Sequence, residues 1–226
     1  MKILVLGATG GTGQQVVLQA LEQGHEVTVL VRTPQRLTAR SDRLRVVTGS
    51  VDDERALAGA VQGQDVVISA LGEGNSLKST GLIARSMPTI VRAMESQGVR
   101  RLIYTSAYGV GETWRDAPLL PRIMMRLLLR DLYRDKTAGE EILRRSGLDW
   151  TLVYPVTLTN GPQTGRYQTG ERLSLRGFPR IARADLADFI LTQLKDRVYV
   201  RKGVLISSLS ARGRTGGRAS RDDGLH

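Results

Sequence analysis

The 226-residue chain contains no cysteine, which excludes disulfides, thiolate metal ligands and a cysteine nucleophile. Histidine is almost as scarce. His25 precedes an apolar run and His226 is the last residue, and neither position suggests catalysis or metal binding. Aspartate and glutamate are spread without ligand spacing, so no metal centre is expected. Long hydrophobic runs are missing too: Ile3–Leu6, Val27–Val31 and Val66–Ala70 are the longest, far below the roughly 18–20 residues of a membrane span. The opening Met1-Lys2 leads into a short run that stops at Gly7, unlike a signal peptide. The expectation is a cytoplasmic globule with no membrane partner, monomeric or a weak homo-oligomer.

Lysine is the rare cation, with five against 28 arginines, and 33 cations outweigh 22 acids to give a net charge of +11. The cations scatter, being densest over Arg122–Arg134 and in the last sixteen residues. No nucleic-acid recognition motif accompanies them, so nucleic acid is not an expected partner.

What the chain does contain is a regular alternation. Short apolar runs at Lys2–Leu6, Glu26–Val31, Leu44–Thr48, Asp65–Ala70, Arg101–Ser106, Trp150–Tyr154 and Val204–Ser207 read as strands. Helical patterns at Gly11–Gln23, Asp53–Val61, Ser79–Gln97, Ile123–Arg145 and Asp185–Leu194 separate most of them, with Gly24, Gly98 and Gly147 as stops. This predicts an α/β fold, a doubly wound parallel sheet covered on both faces. One domain is expected over residues 1–210. Pro155–Arg183, rich in Gly, Thr and Pro, breaks the rhythm and is the candidate substrate lobe; residues 211–226 read as a disordered basic tail.

The chemistry begins at GATGGTG, whose glycines Gly7, Gly10 and Gly13 follow the first strand and open the first helix. In that context Gly7 allows a tight turn, Gly10 lets backbone approach a pyrophosphate, and Gly13 permits close helix–strand packing. The pyrophosphate would rest on the helix N-terminus, with the Thr9 and Thr12 hydroxyls as further donors. Where an NAD site places a carboxylate after the second strand, this chain has Arg32 and Arg36. Two guanidiniums can bind a 2′-phosphate bidentately, which predicts NADP(H) in preference to NAD(H); a solvated pair of loop charges is the competing reading.

With VTVLVRTPQRL, ALG at Ala70–Gly72, TSA at Thr105–Ala107 and SGLDWTLVYP at Ser146–Pro155, the chain resembles the NAD(P)H-binding atypical short-chain dehydrogenase/reductases. Within them it is most similar to the branch of biliverdin reductase B (flavin reductase) and the NmrA-like proteins. The resemblance runs from Met1 to about Ser207 and implies a Rossmann fold. It also implies roles: Gly7, Thr9, Gly10, Gly11 and Thr12 at the pyrophosphate, and Arg32 and Arg36 at the 2′-phosphate. Val51 or Asp52 would meet the adenine, where Gly49-Ser50-Val51 departs from the family's Gly-Asp-Val. Ala70, Leu71 and Gly72 would flank the ribose, and Ser106, following Thr105, would face the nicotinamide, with Pro155, Val156 and Thr157 against its amide.

Alcohol-oxidising members use Tyr-x-x-x-Lys. Tyr133 and Lys136 are spaced one residue too closely for that pattern, so Lys136 is expected at the cofactor ribose instead. A chain without the dyad suits hydride transfer to a planar, conjugated acceptor such as a flavin, quinone or biliverdin-like molecule. Ser106 is then the nearest polar group to the acceptor and Tyr108 the alternative. Trp114, Met124 and Met125 are candidates for an acceptor pocket or for lid packing. A non-catalytic NADP(H) sensor and an epimerase or isomerase are the competing functions.

Overall fold

The computed structural model describes residues 1–74, 76, 79–111, 130–175 and 177–209. In chain order the elements are β1 (Lys2–Leu6), α1 (Gly11–Glu22), β2 (Glu26–Val31), β3 (Leu44–Thr48), α2 (Glu54–Val61), β4 (Val66–Ser69), α3 (Leu82–Ser96) and β5 (Arg101–Thr105). Then follow α4 (Arg130–Arg145), β6 (Asp149–Pro155), β7 (Thr157–Thr159), β8 (Tyr167–Gly170), β9 (Arg180–Ala182), α5 (Arg183–Thr192) and β10 (Lys202–Ser208).

The main sheet runs β3-β2-β1-β4-β5-β6-β10-β8. All its pairings are parallel except β8 against β10. Strand order reverses between β1 and β4, each bonded to the other with Leu6 opposite Ser69. In such a sheet the crevice for a ligand opens at that reversal, beyond the strands' carboxyl ends.

Side-chain alternation explains the two-layer covering. In β1, Ile3 and Val5 point into a core shared with α1 and α5, whereas Leu4 and Leu6 point into a second core with α2, α3 and α4. Both sets are fully buried. The strands therefore read as continuous apolar runs because neither face meets water.

Helix ends follow the expected chemistry with one exception. Gly24 (φ +80°) and Gly98 (φ +69°) take left-handed conformations. Each completes a pair of backbone hydrogen bonds: the Gly24 N–H donates to the Leu21 carbonyl and the His25 N–H to that of Ala20, and the Gly98 N–H donates to the Glu95 carbonyl and the Val99 N–H to that of Met94. Gly147 does not act this way. Its φ is not positive, and α4 instead ends where the Ser146 N–H and hydroxyl both bond the Leu143 carbonyl.

The segment expected as an irregular lobe is more ordered than predicted. β7 and β9 pair in parallel as a small second sheet, and β8 joins the main sheet. These strands are only three or four residues long, too short for an apolar alternation to announce them. Asp185 holds the segment down: its carboxylate accepts the Thr164 N–H (2.6 Å), the Thr164 hydroxyl (2.8 Å) and the Gly165 N–H (2.9 Å). The helix predicted over Ile123–Arg145 is described from Arg130. Its first turns, Trp114, Met124, Met125 and the tail lie outside the described residues.

Candidate active site

The glycine-rich turn is built by contacts that exclude side chains. Gly7 sits at φ +78°, and a Cβ there would lie 2.6 Å from the Ala70 carbonyl oxygen, so β1 and β4 touch through it. A Cβ on Gly13 would lie 2.1 Å from the Gly7 oxygen, which is the close helix–strand approach the motif predicts. Gly10 differs. Its φ of −81° suits any residue, and a Cβ would meet nothing nearer than 3.4 Å. The fold itself does not require glycine at Gly10, whereas a ligand resting on the backbone would.

Among the described residues, no side chain caps the N-terminus of α1, and its first turn carries no acid. Its free N–H groups and the helix dipole therefore face the crevice ready for an anion. Arg183, which sequence reasoning missed, lies over this turn: a Cβ on Gly11 would be 2.8 Å from its Cδ and Nε. Its Nη1 bonds Asn160 Oδ1 at 2.6 Å. An arginine at the first position of α5 opposes that helix's own dipole, and this was the available signal.

Arg32 and Arg36 are exposed just beyond β2, Arg36 on a single turn of 3-10 helix (Pro34–Arg36) anchored by buried Leu37. Among the described residues neither makes an ion pair. Val51 is buried and Asp52 exposed beyond β3, and Asp53 is committed to capping α2 through the Arg55 and Ala56 N–H groups. Ala70, Leu71 and Gly72 leave the end of β4, where the Ala70 N–H bonds the Leu6 carbonyl. Thr9 and Thr12 belong to the turn and first helical residues, with Thr12 buried. The hydroxyls of Ser69 and Thr105, at the ends of β4 and β5, are buried and meet no hydrogen-bond partner among the described residues. The glycine-rich cradle, the free helix terminus and the cations around it fit a dinucleotide.

The other half of the crevice is made at the end of β5. Backbone bonds from Ser106 to Val153 (2.8 Å) and Tyr108 to Pro155 (2.9 Å) lace it to β6, whose continuation puts Pro155 and Val156 inside and Thr157 outside. The Ser106 hydroxyl, rather than only capping backbone, donates to Glu140 Oε1 of α4. Tyr154 donates to Glu140 Oε2 at 2.8 Å, and Arg144 reaches the same phenol at 3.2 Å. Glu140 was also missed, although it lies four residues after Lys136 on one helix face.

Asp135 sets the rotation of α4. It caps α3 from outside, accepting the Ile83 and Ala84 N–H groups at 3.1 and 2.8 Å and the Ser79 hydroxyl at 3.0 Å. Lys136 then points over the Tyr104 ring, 5.6 Å from its centroid. Burial lowers its pKa to about 8, against the raising charges of Glu140 and Asp135. Tyr133 turns elsewhere, donating to the Tyr108 carbonyl at 3.3 Å, with burial raising its pKa to about 12. Tyr133 and Lys136 thus meet different partners, the Tyr108 carbonyl and the Tyr104 ring.

A surface hollow lined by Lys2, Thr28, Arg43 and Gln64 lies at the amino ends of the strands, opposite the crevice; it gathers no reactive group. Among the described residues no acidic or histidine cluster could hold a metal ion, and no helix is long and apolar enough to cross a membrane.

A family model described as NAD(P)H-binding matches residues 7–197. The chain belongs to the NAD(P)H-binding family. Over 205 residues it is 27% identical to an uncharacterized sugar epimerase, YhfK of Bacillus subtilis, covering 87% of this chain and 89% of that one. Over 155 residues it is 32% identical to a (4-alkanoyl-5-oxo-2,5-dihydrofuran-3-yl)methyl phosphate reductase of Streptomyces griseus, covering 69% of this chain. It spans 47% of that reductase's length, so the two share only part of their architecture. Among solved structures, ChuY, an anaerobillin reductase of Escherichia coli O157:H7, superposes with a TM-score of 0.77 at 23% identity, covering 93% of this chain and 98% of that one. A short-chain dehydrogenase/reductase of Veillonella parvula in complex with NADP gives a TM-score of 0.72 at 20% identity, covering 92% and 95%. These likenesses agree with the fold and the family read from the sequence.

Proposed function

We propose that the protein is an NADPH-dependent oxidoreductase that delivers hydride to a planar conjugated acceptor, such as a flavin, a quinone or a biliverdin-like molecule. The observation that carries this reading is the disposition of Tyr133, whose phenol is bonded to the Tyr108 carbonyl and held near pKa 12. The Tyr-x-x-x-Lys members handle carbonyl and alcohol substrates with a tyrosine acid of lowered pKa. A delocalised acceptor spreads the arriving charge over its own ring system and needs orientation and one proton.

When bound, the dihydronicotinamide supplies the hydride. The chain's residues do the rest. Gly7, Thr9, Gly10, Gly11, Thr12 and Gly13 hold the diphosphate on the α1 terminus, with Arg183 closing over it. Arg32 and Arg36 take the 2′-phosphate, which supports NADP(H) over NAD(H). Val51 and Asp52 bound the adenine, Ala70–Gly72 and Lys136 the riboses, and Thr105, Pro155, Val156 and Thr157 the nicotinamide. Ser106 meets the acceptor, with Tyr108 beside it. The reductases among its relatives support this reaction class. The epimerase name of the Bacillus relative favours a second reading, but that chemistry requires the tyrosine acid this site lacks.

Mixing the protein with NADPH and FMN or a quinone, and following dihydronicotinamide absorbance, tests the proposal. Acceptor-dependent oxidation is expected. Tight NADPH binding without turnover for any acceptor would replace the reductase with a redox sensor, and loss of turnover in Tyr133→Phe would restore the epimerase-type acid.

A further inference from the structure

Glu140 is a buried carboxyl whose two oxygens are both covered by neutral hydroxyls. Ser106 holds Oε1, Tyr154 holds Oε2 at 2.8 Å, and only 2% of the residue is exposed. Among the described residues no ammonium or guanidinium nitrogen comes within 4 Å of it. A carboxylate kept for structural strength is normally paired with a cation; one enclosed by hydroxyls is arranged to exist in its neutral form as well. The turn above it completes the enclosure, since a Cβ on Gly111 would lie 2.7 Å from Oε2. Ser106, itself 5% exposed just beyond β5, joins this carboxyl to the crevice.

We propose that Glu140 is the proton reservoir of the reaction, recharging the Ser106 hydroxyl as that hydroxyl protonates the reduced acceptor. This rests on the reductase reading above. Glu140 acts through Ser106 and does not touch the acceptor.

The balance is simple. The acceptor gains hydride from the dihydronicotinamide, leaving the oxidised nicotinamide cation and a reduced acceptor anion. The Ser106 Oγ–H bond breaks toward that anion. The Glu140 proton crosses the existing Oγ···Oε1 hydrogen bond, which serves in either direction because a hydroxyl both donates and accepts. Glu140 is left as a carboxylate accepting from Ser106 and Tyr154, and Ser106 relays a solvent proton back once product leaves. The sum is one NADPH, one acceptor and one solvent proton.

The surrounding charges permit both states. Burial raises the Glu140 pKa above its usual value, while the hydrogen bonds from Ser106 and Tyr154 and the charges of Arg144 and Lys136 pull it back. The groups facing it are Lys136 and Arg144 from α4, Tyr104 from β5, Ser106 just beyond that strand, and Tyr154 from β6. Tyr104 and Tyr154 are both held above their ordinary phenol values, so neither competes as an acid near neutrality.

Two measurements test the assignment. In the ligand-free full chain carrying glutamate labelled with 13C at Cδ, one carboxyl should titrate above the others, and its resonance should vanish in Glu140→Gln. With NADPH and FMN, wild-type kcat should fall as pH rises through that same midpoint. Glu140→Gln keeps the shape and the hydrogen-bonding capacity but cannot release a proton. It should lose roughly 10–100-fold in kcat, with KM for NADPH unchanged and the pH dependence flattened. A Glu140 that titrates with the surface carboxyls overturns the proposal even if the variant fails to fold. So does a variant that keeps the wild-type rate and profile. Absence of turnover in wild type with every acceptor, despite NADPH binding, instead removes the reductase reading and the relay with it.

Discussion

The two halves of the crevice are built from different materials. The half around β1, α1 and β2 is made of backbone, three tightly spaced glycines and cations at the surface, all within the first 36 residues except Arg183. The half around β5, α4 and β6 is made of side chains, the buried Ser106, Glu140 and Tyr154 and the half-buried Lys136, from elements that meet only in three dimensions. On the proposed reading, the first half binds through charge and shape that are present before a ligand arrives, and the second controls where protons reside. Substitutions in the first should therefore change affinity, and substitutions in the second should change pH dependence.

The largest effect should come from Gly13→Ala, whose methyl would be driven into the Gly7 carbonyl. Separating α1 from β1 should abolish detectable dinucleotide binding and destabilise the fold by about 3 kcal/mol, read as a lowered Tm. Binding that survived would mean the turn tolerates displacement and is not the diphosphate seat.

Next, replacing Arg32 and Arg36 together by alanine should weaken NADPH by roughly 10–100-fold, as expected for losing charge-assisted bonds to a phosphate, and leave NADH unchanged. Calorimetry with both cofactors reads this directly. Equal weakening of the two would make these arginines a general electrostatic surface.

In the buried half, Lys136→Met tests the cost of holding an ammonium out of water. The lysine titrates near 8 when folded and at its ordinary 10.5 when unfolded. The folded form therefore binds the proton more weakly, and the lysine's contribution to stability is complete above pH 10.5 and lost as pH falls through about 8. Denaturant unfolding should show wild type losing roughly 1–3 kcal/mol relative to Lys136→Met between pH 10.5 and 7. Parallel curves would place the ammonium in water.

The smallest effect belongs to Arg183→Ala. Because a diphosphate is common to both dinucleotides, NADPH and NADH should weaken alike, by roughly 3–10-fold. A loss confined to NADPH would move Arg183 to the 2′-phosphate.

The contrast between the halves also explains what could be read in advance. The GATGGTG turn, the arginines after β2 and the parallel strand order depend on neighbours in sequence, and each stands where its spacing implied. Glu140 and Tyr154 were not legible because their importance lies in pairing with Ser106 across 34 residues and with each other across two elements. Arg183 escaped notice because it reaches Gly11 from the far end of the chain. The short strands β7, β8 and β9 escaped because their pairing partners, not their own composition, make them strands. Asp135, close to Lys136 in sequence, is spent on capping α3, which no local pattern could reveal.

Titration calorimetry of the ligand-free protein with NADPH and with NADH tests the central claim most directly. Saturable heat for both, with NADPH clearly tighter and its advantage shrinking as salt screens the arginines, is the predicted result. No heat for either dinucleotide, or a tighter NADH, would contradict the account.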